Sequence, residues 1–122
     1  MRSIETIKDR RLKAILSDIK EEVLKLFGDR LVQLILYGSY ARNEQDGESD
    51  IDVLILVDEA EENLKKYRPK VIDIMTDLSL KYDTLISLAR KTYDHYTEYF
   101  DFLPYYQNIY NEGVEIYGRK AA

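Results

Sequence analysis

A chain of 122 residues is about the size of one domain, so a single unit spanning residues 1–122 is expected. Its net charge of −5 argues against a basic face that gathers nucleic-acid phosphates, and the lack of cysteine excludes disulfides, thiolate metal sites and a cysteine nucleophile. No segment approaches the roughly 20 apolar residues that cross a bilayer, and the opening MRSIETIKDRR has no apolar signal core, so a cytoplasmic address away from membranes is expected.

Ile4, Ile7, Leu12, Ile15, Leu16, Ile19, Val23, Leu24 and Phe27 recur at helical spacing, and Gly28 stands where a helix would stop, which predicts one amphipathic helix over 4–27. Leu31 to Tyr37 and Ile51 to Val57 are short, nearly continuous apolar runs, the pattern of buried strands. Between them Ala41 to Ser49 is polar and contains Gly47, which suggests a helical turn and a loop rather than a tight hairpin.

Asp58 to Lys65 reads as a solvated helix or loop, and Pro69 should begin a new helix or kink an existing one, with an apolar stripe running to about Leu80. Tyr82 to Leu88, YDTLISL, predicts a third strand with alternating faces. Leu103-Pro104 should start a further helix to about Asn111, with Gly113 ending it and Val114 to Tyr117 as a last extended piece. Together these elements predict an α/β (α+β) fold, a small mixed sheet covered by helices. Eight of the 11 tyrosines fall at or after Tyr82, which suits either a half-buried surface or a partner-binding face.

The chemistry concentrates in LILYGSYARNEQDGESDIDVLILVD. Gly38-Ser39 leaves a buried strand as a turn that brings backbone N–H groups and a hydroxyl close to phosphate oxygens, and a short helix opening at Tyr40 to Asn43 would add to the attraction for anions. Ten residues later Asp50 and Asp52 stand two steps apart, so on a strand their carboxylates share one face about 6.5 Å apart. Two such carboxylates repel unless a hard divalent ion lies between them, and Mg²⁺ carrying a nucleotide phosphate meets that need. Asp83, placed one residue into the expected third strand, is the candidate third carboxylate of a two-metal site. Arg42 offers a fork of donors to a triphosphate, and Ser49 immediately precedes the acidic pair.

An EF-hand loop is excluded because the Gly and the distal Glu are missing at their offsets, and no GxxxxGK[ST] or GxGxxG loop is present. His95, the only histidine, lies among tyrosines and acids, which fits a surface or interface role rather than a Ser-His-Asp triad.

The segment GSYARNEQDGESDIDVLILV resembles the signature of the DNA polymerase beta-like nucleotidyltransferases, in particular the minimal nucleotidyltransferases (MNT) that pair with HEPN-domain proteins. The likeness covers the chain, including YYQNIYNEGVEIY at its end; one departure is Asn43, where many relatives have Gly, a residue that tolerates left-handed backbone better than most. The resemblance implies a nucleotidyltransferase fold, ATP as substrate and Mg²⁺, two ions, as cofactor. It implies that Gly38 and Ser39 hold the nucleotide's phosphates, to which Arg42 and Ser49 are added as candidate nucleotide-binding residues, and that Asp50, Asp52 and Asp83 ligate metal and carry catalysis. It further implies adenylylation (AMPylation) of a hydroxyl, a tyrosine of a HEPN ribonuclease toxin held in a hetero-oligomer, which would make this chain the antitoxin of a toxin-antitoxin pair. Alternatives are transfer to a small molecule of the aminoglycoside type, or an antitoxin that neutralises its partner by covering it without catalysis.

Overall fold

The computed structural model describes residues 1–119. Five strands form one mixed sheet in the order β1-β5-β2-β3-β4, with β1 at Arg2–Ser3, β2 at Leu31–Tyr37, β3 at Ile51–Val57, β4 at Ile86–Thr92 and β5 at Val114–Gly118. The central strand β2 runs antiparallel to both β3 and β5, whereas β3 pairs with β4 in parallel. Helices α1 (Arg10–Phe27) and α2 (Arg68–Tyr82) cover one face; α3 (Tyr93–Tyr99) and α4 (Pro104–Glu112) cover the other. The two central strands coincide with the apolar runs of the sequence because both of their faces are buried.

The leading helix begins later than its periodicity predicts. Asp9 caps it by accepting the Leu12 N–H at 3.1 Å, and Ile7 is extended. Residues Ile4–Thr6 form a separate turn of 3₁₀ helix whose Ile4, with Ile7, still packs on the core, so the apolar spacing continues across a break in the backbone.

The third strand is likewise displaced. Tyr82 is the last residue of α2, held there by its hydroxyl's bond to the Asp18 carboxylate of α1, and the strand runs from Ile86 to Thr92 instead of from Tyr82 to Leu88. As the outer strand of the sheet, β4 has N–H groups turned away from β3, and α2 meets them: Ile86 N–H donates to Ser79 Oγ at 3.0 Å and Leu88 N–H to Met75 Sδ at 3.2 Å. The exposed edge is thereby blunted.

Alternation along β3 and β4 divides the core. Val53, Ile55, Ile86 and Leu88 face α1 and α2, while Leu54, Leu56 and Ala89 join Tyr96, Tyr106 and Ile109 on the other side. Helix α3, which the apolar pattern does not announce, starts where the Thr92 hydroxyl accepts the His95 N–H at 3.0 Å. Helix α4 starts at Pro104 and is closed by Gly113, whose missing Cβ leaves room for the Ile109 carbonyl and Ile35.

Candidate active site

Strand β2 ends at Tyr37, and the chain turns immediately at Gly38 with φ +77°. A Cβ at Gly38 would stand 2.7 Å from Asp52 Oδ2, so any larger residue there would displace that carboxylate. The Gly38 carbonyl accepts the N–H groups of Ala41 and Arg42, and the Ser39 carbonyl accepts that of Glu44 at 2.9 Å, so the segment is a tight set of turns rather than a helix. Ala41 is buried and anchors it, and Asn43 adopts φ +57°, the left-handed geometry that asparagine tolerates. Among the described residues the N–H groups of Ser39 and Tyr40 meet no backbone carbonyl in this turn, which leaves two donors for an anion.

Asp52 pairs with Tyr37 across β2 and β3, and Asp50 lies just ahead of β3. Alternation places Asp52 on the face of Leu54 and Leu56, the side of α3 and α4. Burial first, and then the negative charge of Asp50, push the Asp52 carboxyl above its usual range. No donor or cation among the described residues offsets either cause, so the pair suits a hard divalent cation with oxygen ligands.

Asp83 shares a surface depression with Asp50 but not with Asp52. It is exposed, ends α2 in the left-handed conformation (φ +50°, ψ +45°) and precedes β4 rather than entering it. It lines, with Asp50, Asp46, Glu48 and Arg11, an open depression of about 460 Å³ that Asp52 does not line. Among the described residues no three histidine or carboxylate side chains gather closely enough to hold a metal ion by themselves.

Arg42 is held by two carboxylates, Nε to Glu44 at 3.1 Å and Nη1 to Glu112 of α4 at 3.1 Å. The Ser49 hydroxyl accepts the Asp46 N–H at 3.0 Å and so closes its own loop. Three neighbours escape a reading of the sequence. Tyr37 shares a hydroxyl contact of 3.0 Å with Tyr105 of α4 and lies beside Asp52; burial and that contact push its phenol well up. Glu112 reaches the turn from 70 residues away. Ser87 of β4 is the register partner of Asp52. His95 is no base in this site: its Nδ1 meets the Tyr106 hydroxyl at 2.6 Å in the aromatic layer under α3 and α4.

The family model of the nucleotidyltransferase domain matches residues 16–114. One Methanocaldococcus jannaschii protein, provisionally named a protein adenylyltransferase, is 40% identical over 104 residues, covering 84% of this chain and 95% of its own. A second protein of that organism with the same provisional name is 33% identical over 102 residues, covering 81% of this chain and 94% of its own. Among solved structures, a chain of a toxin-antitoxin complex with AMP-PNP superposes with a TM-score of 0.57 at 19% identity, over 86% of this chain and 74% of that one. A chain of the complex between a tri-AMPylated Shewanella oneidensis HEPN toxin and its MNT antitoxin gives 0.53 at 16% identity, over 88% and 72%. At those identities the structural likeness shows a shared fold.

Proposed function

The chain belongs to the nucleotidyltransferase domain family, and from that premise we propose that it transfers the adenylyl group of ATP, with Mg²⁺, to a tyrosine hydroxyl of a HEPN-domain toxin and so acts as the antitoxin of the pair. The approach of Gly38 to Asp52 carries this proposal, because it joins a turn with free N–H donors to a carboxylate that wants a cation. The protein adenylyltransferase names of two relatives, and the toxin-antitoxin complexes that share the fold, support a protein acceptor.

In the proposed reaction the acceptor hydroxyl attacks the α-phosphorus of ATP in line. A new P–O bond forms as the bond to the β-phosphate bridging oxygen breaks, pyrophosphate departs, and the hydroxyl proton passes to solvent. The Ser39 and Tyr40 N–H groups and the Ser39 hydroxyl would hold the β- and γ-phosphates, and fixed donors of this kind are each worth about 10²–10³ in rate where charge develops. Asp50 and Asp52 would hold Mg²⁺, which when bound supplies Lewis acidity at the acceptor and charge neutralisation at the departing oxygens. Arg42 would exchange its single bond to Glu44 or to Glu112 for a phosphate, a trade that costs little at an exposed site. The rest is alignment: the sheet fixes the carboxylates, and the turn fixes the leaving group.

Incubating the chain with its HEPN partner, labelled ATP and Mg²⁺ tests the proposal. Label on the partner with the wild type, and none with Asp50→Asn or Asp52→Asn, is expected; a partner that stays unlabelled with active wild type overturns it.

A further inference from the structure

The family resemblance implies a third side chain beside the paired acids, and the fold places a neutral one next to Asp52. We infer that this position belongs to the Ser87 hydroxyl and not to Asp83, which shares a depression with Asp50 but not with Asp52, an inference that rests on the nucleotidyl-transfer proposal above. Ser87 is the parallel register partner of Asp52, so their backbones are about 4.8 Å apart. Its side is fixed by its neighbours. Ile86 and Leu88 pack with Val53 and Ile55 toward α1 and α2, whereas Ala89 packs with Leu54 and Leu56 toward α3 and α4. Ser87 therefore shares the Asp52 face, and Tyr37, Asp52 and Ser87 form a row across three strands.

The row has a direction. The Gly38-Ser39 turn leaves β2 on one flank of Asp52, and Ser87 lies on the other. If pyrophosphate leaves toward the turn, an in-line acceptor hydroxyl comes from the β4 flank, where Ser87 can donate to it or accept from it. Asp83 lies four residues earlier at the end of α2, exposed and in the left-handed conformation. The protein thus offers a cation two carboxylates and one uncharged oxygen. The remaining negative charge is the triphosphate's, so metal and nucleotide bind together rather than metal first.

Electron paramagnetic resonance of Mn²⁺ with the full chain and no nucleotide reads this directly. Ser87→Asp, which restores a carboxylate to the row, should bind Mn²⁺ about tenfold or more tighter than wild type, and adding Asp50→Asn should remove the gain. Asp83→Asn should stay within about twofold of wild type. Ser87→Ala, the variant least disturbing to the fold, should lower kcat about tenfold with KM for Mn²⁺·ATP nearly unchanged. The inference is overturned by a Ser87→Asp protein that folds but gains no Mn²⁺ affinity, by Asp83→Asn weakening Mn²⁺ as much as Asp50→Asn does, or by an unchanged kcat in Ser87→Ala. Unaltered Mn²⁺·ATP affinity in Asp50→Asn overturns the transfer proposal itself, and this inference with it.

Discussion

Gly38 and Asp52 approach so closely that no methyl group fits between them: a Cβ on the glycine would lie 2.7 Å from the carboxylate oxygen. Gly38→Ala meets two penalties. The left-handed φ of +77° costs an L-residue about 1–2 kcal/mol, and the new methyl pushes Asp52 off its position. The expected result is a modest fall in Tm together with a loss of Mg²⁺·ATP affinity of about tenfold or more by calorimetry. Wild-type affinity in this variant would show that the turn does not shape the site.

Asp50 and Asp52 should behave oppositely in stability and in activity. Burial first, and then the charge of Asp50, raise the cost of ionising Asp52. Asp52→Asn removes one charge at nearly constant shape, so Tm should hold or rise while adenylyl transfer falls by about 10²-fold or more. A drop in Tm as large as that of a core truncation would mark the aspartates as structural. Thermal unfolding beside a single-turnover assay separates the two outcomes.

The sequence made the two inner strands and the acidic pair legible for one reason: buried strands read as unbroken apolar runs, and Asp50 and Asp52 interrupt that pattern at one end. It misplaced Asp83 because Tyr82 to Leu88 alternates like a strand while Tyr82 actually closes α2 onto Asp18, a tertiary contact that local spacing does not encode. Ser87 and Tyr37 went unnoticed for a related reason. Their relation to Asp52 is a register between strands, set by pairing partners up to 35 residues apart. The break at Asp9 is the exception, since a helix cap is a local signal that the longer apolar periodicity masked.

Arg42 links the turn to the end of α4 through Glu112, and both side chains are well exposed. Exposed pairs of this kind contribute about 0–1 kcal/mol, so Arg42→Ala should leave Tm nearly unchanged. If the guanidinium turns to the triphosphate when ATP binds, the same variant should raise KM for ATP several-fold. Glu112→Gln, which loosens the competing hold, should lower it slightly. Equal KM values in wild type and Arg42→Ala would confine Arg42 to the Glu44–Glu112 bridge.

Glu59 predicts an acid limit that has nothing to do with catalysis. Its side chain is 4% exposed and accepts from Asn63 at 3.1 Å, the Ala60 N–H at 3.2 Å, the Tyr67 hydroxyl at 3.1 Å and the Arg30 guanidinium. These contacts, the Asn63 bond foremost, outweigh the cost of burial and hold the carboxyl at about 2, against 4.5 ordinarily. Because the folded value lies below the unfolded one, the unfolded chain binds the proton first as pH falls. The stabilisation is therefore complete above about pH 4.5 and disappears progressively toward pH 2. Glu59→Gln should be less stable than wild type at pH 6, and the gap should close toward pH 2. Some acid sensitivity should persist in the variant, because Asp18 is also held below its usual range, first by the Tyr82 hydroxyl and then by Lys81. Urea unfolding at a series of pH values reads the difference, and parallel curves for the two proteins would remove Glu59 from the account.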